Sequence, residues 1–196
     1  VSVVALVLAA GSSVRFGGDK RRALMADGRS LLVHSVERAC AVFDEVRVVL
    51  RAGERAEALG LPSACRVISS VDCAQGMGHS LAAGAASLAD CEARAVAVVL
   101  GDMPWVAPAT LGLLARQAGA STIVLPWHAG RQGHPVLFGR DFWPALAQLQ
   151  GDEGARSVVK AHPESCVRVH VQDVGVLQDV DRPEALSSPS PPAEGS

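Results

Sequence analysis

Residues 3–20 read Val3-Val4-Ala5-Leu6-Val7-Leu8-Ala9-Ala10-Gly11-Ser12-Ser13-Val14-Arg15-Phe16-Gly17-Gly18-Asp19-Lys20. The first six are an unbroken apolar run rich in valine and closed by small residues. A strand with one face in water would alternate with polar side chains, so this run predicts a strand buried on both faces. Behind it, Ala9, Ala10 and Gly11 let the backbone approach a ligand closely, and successive amides in such a loop form an anion-binding nest. Arg15 adds a forked guanidinium and Lys20 a mobile point charge. Ligands of an open α/β sheet collect at the carboxyl ends of its strands, which is where this loop would lie.

Working outward, residues 45–50 and 95–100 repeat the form of the first strand. Between them, residues 31–41 behind the cap candidate Ser30, and residues 80–88, carry helical spacing. Strand and helix alternating in this way predict an α/β fold, a single Rossmann-like domain over residues 1–186 with a mostly parallel central sheet. Residues 110–117 and 142–149 are further helix candidates and 122–125 and 136–138 further strand candidates, a denser succession that predicts a partly mixed sheet. From Ser187 the chain reads Ser-Ser-Pro-Ser-Pro-Pro-Ala-Glu-Gly-Ser, which has nothing to bury, and residues 187–196 are expected to form a disordered tail.

Of the 196 residues, 49% are apolar and 19% charged, which suits one packed domain, and the short apolar runs argue against a membrane protein. A net charge of -2 offers no general attraction for nucleic acid or an anionic membrane, so phosphate binding must come from a local arrangement. Five scattered cysteines without a CxxC pair suggest neither a disulfide framework nor a zinc site, and a reducing cytoplasm is expected. The opening apolar run also has the character of a secretory signal core, a reading that explains less of the loop behind it.

The loop is neither GxxxxGK[ST] nor GxGxxG, which weakens ATPase and dinucleotide readings. Taken alone it reads first as an ordinary glycine-rich turn with two solvated cations. Asp102 follows the third strand directly and so belongs at the carboxyl edge, beside the loop. Magnesium takes one or two carboxylates together with phosphates and water, which makes Asp102 a metal candidate and Asp181 its second. Lone aspartates also cap helices, and Asp181 precedes the helix-like residues 183–186.

Several short motifs in order give these residues a common meaning. Leu8-Ala9-Ala10-Gly11, Arg15-Phe16-Gly17 and Lys20 are followed by Gln75-Gly76-Met77-Gly78, Leu100-Gly101-Asp102-Met103-Pro104 and Gly133-His134-Pro135. Gly151-Asp152-Glu153-Gly154-Ala155-Arg156 and Asp179-Val180-Asp181-Arg182-Pro183-Glu184 complete the set. Together they resemble the MobA/MocA-like molybdenum-cofactor nucleotidyltransferases over nearly the whole chain except the tail. The resemblance implies a GT-A-like fold and attack of an acceptor phosphate on the α-phosphorus of a nucleoside triphosphate, expelling pyrophosphate. It implies Arg15, Lys20 and Asp102 in catalysis, Leu8 to Gly11 with Gly76 and Gly78 around the nucleotide, and His134 and Arg156 on the acceptor. It also implies Mg2+ on Asp102 and Asp181, with Asp179 the alternative partner.

Within that family LAAG resembles the cytidylyl-transferring branch and LAGG the guanylyl-transferring one, so Ala10 implies CTP. The implied acceptor is molybdopterin carrying molybdenum, with transient contact to a recipient molybdenum enzyme. Two other readings are a sugar- or polyol-phosphate nucleotidyltransferase on the same scaffold and a non-catalytic pterin carrier. The chain departs from the resemblance at His79, where serine is expected, at Arg21 and Arg22, where apolar residues are usual, and at Ser30, where proline is common. No Ser-His-Asp or Cys-His arrangement is needed, because a phosphate monoester with a second pKa near ~6 is already largely ionised at neutral pH.

Overall fold

The computed structural model describes residues 2–12, 16–152 and 154–187. Arg15 and residues 188–196 of the expected tail therefore lie outside the described residues, while the described backbone runs through Ser187 in a 3-10 turn, Pro183–Ser187.

The opening run forms strand β1 (Val3–Leu8), and the two similar runs form β2 (Glu45–Arg51) and β4 (Ala95–Leu100). With β3 (Arg66–Ser70) they make a parallel block in the order β3-β2-β1-β4. β7 (Val136–Gly139) then runs antiparallel to β4, and β5 (Ile123–His128) antiparallel to β7. The short β6 (Arg131–Gln132) forms a hairpin with β5, and β8 (Cys166–His170) pairs parallel to β5. Among the described residues the sheet is thus eight-stranded, mostly parallel and mixed on one side, as the dense later run of elements predicts.

The period-two geometry of β1 divides its side chains between two cores. Val3, Ala5, Val7 and Ala9 join one core with Leu32, Val36 and Ala39 of α1 (Leu31–Cys40) and Leu111 and Leu114 of α3 (Pro108–Gln117). Val4, Leu6 and Ala10 join the other with Leu81 and Ala85 of α2 (Met77–Ala86), Leu146 of α4 (Trp143–Ala147) and Val158 of α5 (Arg156–Ala161). Each fully buried valine or leucine is worth about 1.5–3 kcal/mol, so a strand covered on both faces by helices anchors the domain. Among the described residues no helix is long and apolar enough to cross a membrane.

Ser30 caps α1, its hydroxyl accepting from the Val33 amide at 3.3 Å, so the serine at this position closes the start of the helix. Helix α2 begins at Met77, three residues before the apolar spacing starts at residue 80. Gly76, with φ +122°, turns the chain into it. Strand β3 and helix α5 are not evident in the sequence: Arg66, Ser69 and Ser70 dilute the strand pattern at a sheet edge, and α5 has only six residues.

Candidate active site

Three chain segments converge at the carboxyl ends of β1 and β4. The Gly101 amide donates to the Leu8 carbonyl at 3.0 Å, and a Cβ at Gly101 would lie 2.8 Å from that oxygen. Glycine is therefore required for the two strand ends to close on one another, which sets Asp102 beside the loop that follows β1. The third segment is held by the Val180 amide, which donates to the Asp102 carbonyl at 2.9 Å. That backbone bond helps bring residues from the far end of the chain to the strand edge.

The result is a cluster of three carboxylates, Asp102, Asp179 and Asp181, each offering an oxygen within 4.8 Å of the others. Lys20 Nζ donates to Asp102 Oδ2 at 2.8 Å and to the Val180 carbonyl at 3.1 Å, and lies 4.0 Å from Asp181 Oδ1. Partial burial, and then the charges of Asp181 and Asp102, hold the Asp179 carboxyl above its usual pKa range. Mutual repulsion of this kind is relieved when a cation enters, and an all-oxygen carboxylate set suits a hard divalent ion. The donor chemistry thus fits the ion that the sequence suggests. The structure also brings the two alternative partners of Asp102 into the same group.

Beside this cluster lies a cavity of about 440 Å³ lined by Leu8, Ala9, Ala10, Gly11, Ser12, Lys20, Gly76 and Asp102 among others. A second cavity, of about 840 Å³, contains His134, Arg156 and Lys160 over an apolar floor that includes Val98, Val136 and Phe138. Leu8, Met77, Leu100 and Asp152 line both, so the two spaces adjoin. His134 is placed by its amide, which donates to the Val176 carbonyl at 2.8 Å, and by a cis peptide bond to Pro135. Burial lowers the pKa of its ring, against the pull of Asp102 and Asp179, and so favours the neutral imidazole.

Not every residue named from the sequence faces the first cavity. The Gly78 amide donates to the Gly151 carbonyl at 2.7 Å, and a Cβ there would stand 2.6 Å from that oxygen and 2.7 Å from the Gln150 carbonyl. Gly78 is a packing glycine that seats α2 on the 150–151 turn, and its amide is committed to protein. Gly76 does line the cavity, and a side chain on it would collide with Asp152. Gly78→Ala is expected to lower stability by about 1–3 kcal/mol, read by urea unfolding, because backbone must move to admit the methyl group. Unchanged stability would contradict that account of the glycine.

Ala10 borders the cavity but is only 3% exposed, its residue packed with Val4, Leu6 and Val49. Its methyl group therefore acts on where the loop lies more than as a surface offered to a base. Arg21 is buried and forked onto Glu54 at 2.6 and 2.7 Å and onto Asp19 at 2.7 and 2.8 Å. Hydrogen bonds to Arg21 lower the carboxyl pKa of both partners. Asp152 and Lys160 are cavity residues that the sequence did not single out for a role. Lys160 lies one helical turn after Arg156, and that i,i+4 spacing is the signal that could have found it.

The geometry agrees with the comparisons to known proteins. The sequence profile of the MobA-like NTP transferase domain matches residues 5–166. The chain belongs to this family. It is 29% identical over 192 residues to the purine catabolism protein PucB of Bacillus subtilis, covering 93% of each chain. Among solved structures it resembles Rv0371c from Mycobacterium tuberculosis, with a TM-score of 0.80, 28% identity and 94% and 95% of the two chains covered. It also resembles a complex of Rv0371c with manganese, at a TM-score of 0.73 and 28% identity over 89% of this chain and 93% of that one. As a MobA-like NTP transferase domain, the chain is a nucleotidyltransferase with the α/β sheet that the opening strand predicts.

Proposed function

We propose that this protein transfers the cytidylyl group of CTP to the phosphate of molybdopterin carrying molybdenum, giving molybdopterin cytosine dinucleotide and pyrophosphate. The observation that carries the reading is the pair of adjoining cavities that share Leu8, Met77, Leu100 and Asp152. The smaller one, with the alanine-glycine loop and Lys20, suits a nucleoside triphosphate. The larger one, apolar below and cationic at Arg156 and Lys160, suits a fused-ring acceptor bearing a phosphate.

In this mechanism the loop after β1 and Lys20 bind the triphosphate, with Arg15 as a further cation. Nucleotidyl transfer depends chiefly on alignment and charge stabilisation, and the acceptor phosphate needs no general base because it is ionised at neutral pH. Arg156 and His134 orient that acceptor phosphate toward the α-phosphorus, the neutral ring of His134 still donating one hydrogen bond. Lys20 stabilises negative charge as the pyrophosphate leaves. Asp102 with Asp181, or with Asp179, would hold Mg2+, which supplies neutralisation of the phosphate oxygens. The setting proposed is the cytoplasm, with product delivered by transient contact to a recipient molybdenum enzyme and with neither nucleic acid nor membrane as a partner.

The test is pyrophosphate release with molybdenum-loaded molybdopterin, comparing CTP, GTP and ATP, followed by the mass of the product. A CTP preference of at least about tenfold is expected, a modest ratio because the buried Ala10 methyl acts on the base only through where it sets the loop. A GTP preference would overturn the base assignment. Turnover only with a sugar or polyol phosphate would replace the acceptor, and tight pterin binding without pyrophosphate release would leave a carrier.

A further inference from the structure

The carbonyls of the loop that follows β1 are held by Arg21 and Arg51. Arg21 Nη1 donates to the Ala9 carbonyl at 2.9 Å, Arg51 Nε to the Ala10 carbonyl at 3.3 Å, and Arg51 Nη2 to the Gly11 carbonyl at 2.6 Å. Three successive carbonyls are thus occupied. In a trans peptide the carbonyl of one residue and the amide of the next point in opposite directions. Fixing the oxygens of residues 9, 10 and 11 on the arginines therefore turns the amides of Ala10, Gly11 and Ser12 the other way, while these same residues line the nucleotide cavity.

Glu54 joins the two arginines. Its carboxylate takes both Nη atoms of Arg21, at 2.7 and 2.6 Å, and the backbone amide of Arg51 at 3.0 Å, with Arg51 Nη1 a further 3.9 Å away. Among the described residues that line the nucleotide cavity Arg21 is included, whereas Glu54 and Arg51 are not. We infer that Glu54, acting through Arg21 and Arg51, is a positioning residue that presets the loop amides for the triphosphate. The inference rests on the nucleotide reading of that cavity and concerns the phosphates, not the base.

The sign of the charge makes the inference testable. A carboxylate this close to a polyanion site opposes anion binding through space, so its neutralisation should tighten binding if charge alone matters. If Glu54 acts by holding the loop, Glu54→Gln instead weakens it. Titration calorimetry with CTP and with inorganic tripolyphosphate, both in magnesium buffer, should show affinity falling by about tenfold for each ligand in this variant, the scale of one charge-assisted hydrogen bond.

Glu54→Asp keeps the charge and shortens the reach, and should weaken both ligands too; it carries the test if the glutamine variant does not fold. Equal or tighter binding in a folded variant overturns the inference, as does a loss confined to CTP, which would place the effect at the base. If the unaltered protein binds CTP but is indifferent to these changes, only the positioning role falls. If it binds neither ligand, the nucleotide reading falls and takes this role with it.

Discussion

Asp102→Asn is expected to lower turnover by about a thousandfold, the upper range for removing one electrostatic contact from a transfer site. Asparagine keeps the shape of the side chain and loses its charge. In the structure that charge does two things: it holds Lys20 Nζ at 2.8 Å and contributes one oxygen to the three-carboxylate cluster. Both are weakened by the substitution. The Asp102 backbone carbonyl, which receives the Val180 amide at 2.9 Å, is untouched, so Asp179 and Asp181 should stay in place. The measurement is pyrophosphate release alongside Mn2+ binding by electron paramagnetic resonance. Turnover and Mn2+ affinity should fall together, and undiminished turnover would remove Asp102 from the chemistry.

Lys20→Ala is expected to reduce turnover by about a hundredfold, corresponding to roughly 3 kcal/mol of lost transition-state stabilisation. Its effect on cation binding should have the opposite sign to that of Asp102→Asn. Lys20 shares Asp102 with any cation that enters, and it lies 4.0 Å from Asp181 Oδ1. Without its positive charge the carboxylates attract a divalent ion more strongly, so Mn2+ affinity should hold or rise while turnover collapses. A joint loss of both would mean that Lys20 serves only to hold the cluster together. Normal turnover with nucleotide and magnesium present would take Lys20 out of the mechanism altogether.

The two variants separate parts of the site that lie far apart in the sequence. Lys20 and Asp102 are 82 residues apart, and Asp181 comes from the other end of the chain. Their order in the chain identifies them through resemblance to a family. What joins them physically is a set of backbone contacts: Gly101 against Leu8, and Val180 against Asp102. Such contacts leave little trace in residue types, because any non-proline residue carries the same amide and carbonyl.

Gly76 and Gly78 show the same limit from the other side. Two glycines before a helix look alike in sequence, and both suggest close approach to a ligand. The structure separates them: Gly76 borders the cavity, while Gly78 lies against the carbonyls of residues 150 and 151. Arg21 is a further case. In sequence it is only a departure from the family resemblance, yet with Glu54, Asp19 and the Ala9 carbonyl around it, it becomes one of the loop's supports.

The sequence by itself determined the strand from Val3 to Leu8, its burial on both faces, the alternation that makes a mostly parallel sheet, and the small-residue loop at its end. These follow from local rules: the two-residue period of a strand, the helical repeat, and the small side chains of alanine and glycine. Tertiary structure alone decided that Asp179 and Asp181 both stand with Asp102, that Gly78 packs on the backbone of residues 150 and 151, and that Arg21 and Arg51 hold the loop carbonyls. Those outcomes depend on which distant segments meet at one sheet edge, and that is set by the packing of two cores against β1 and not by any local pattern.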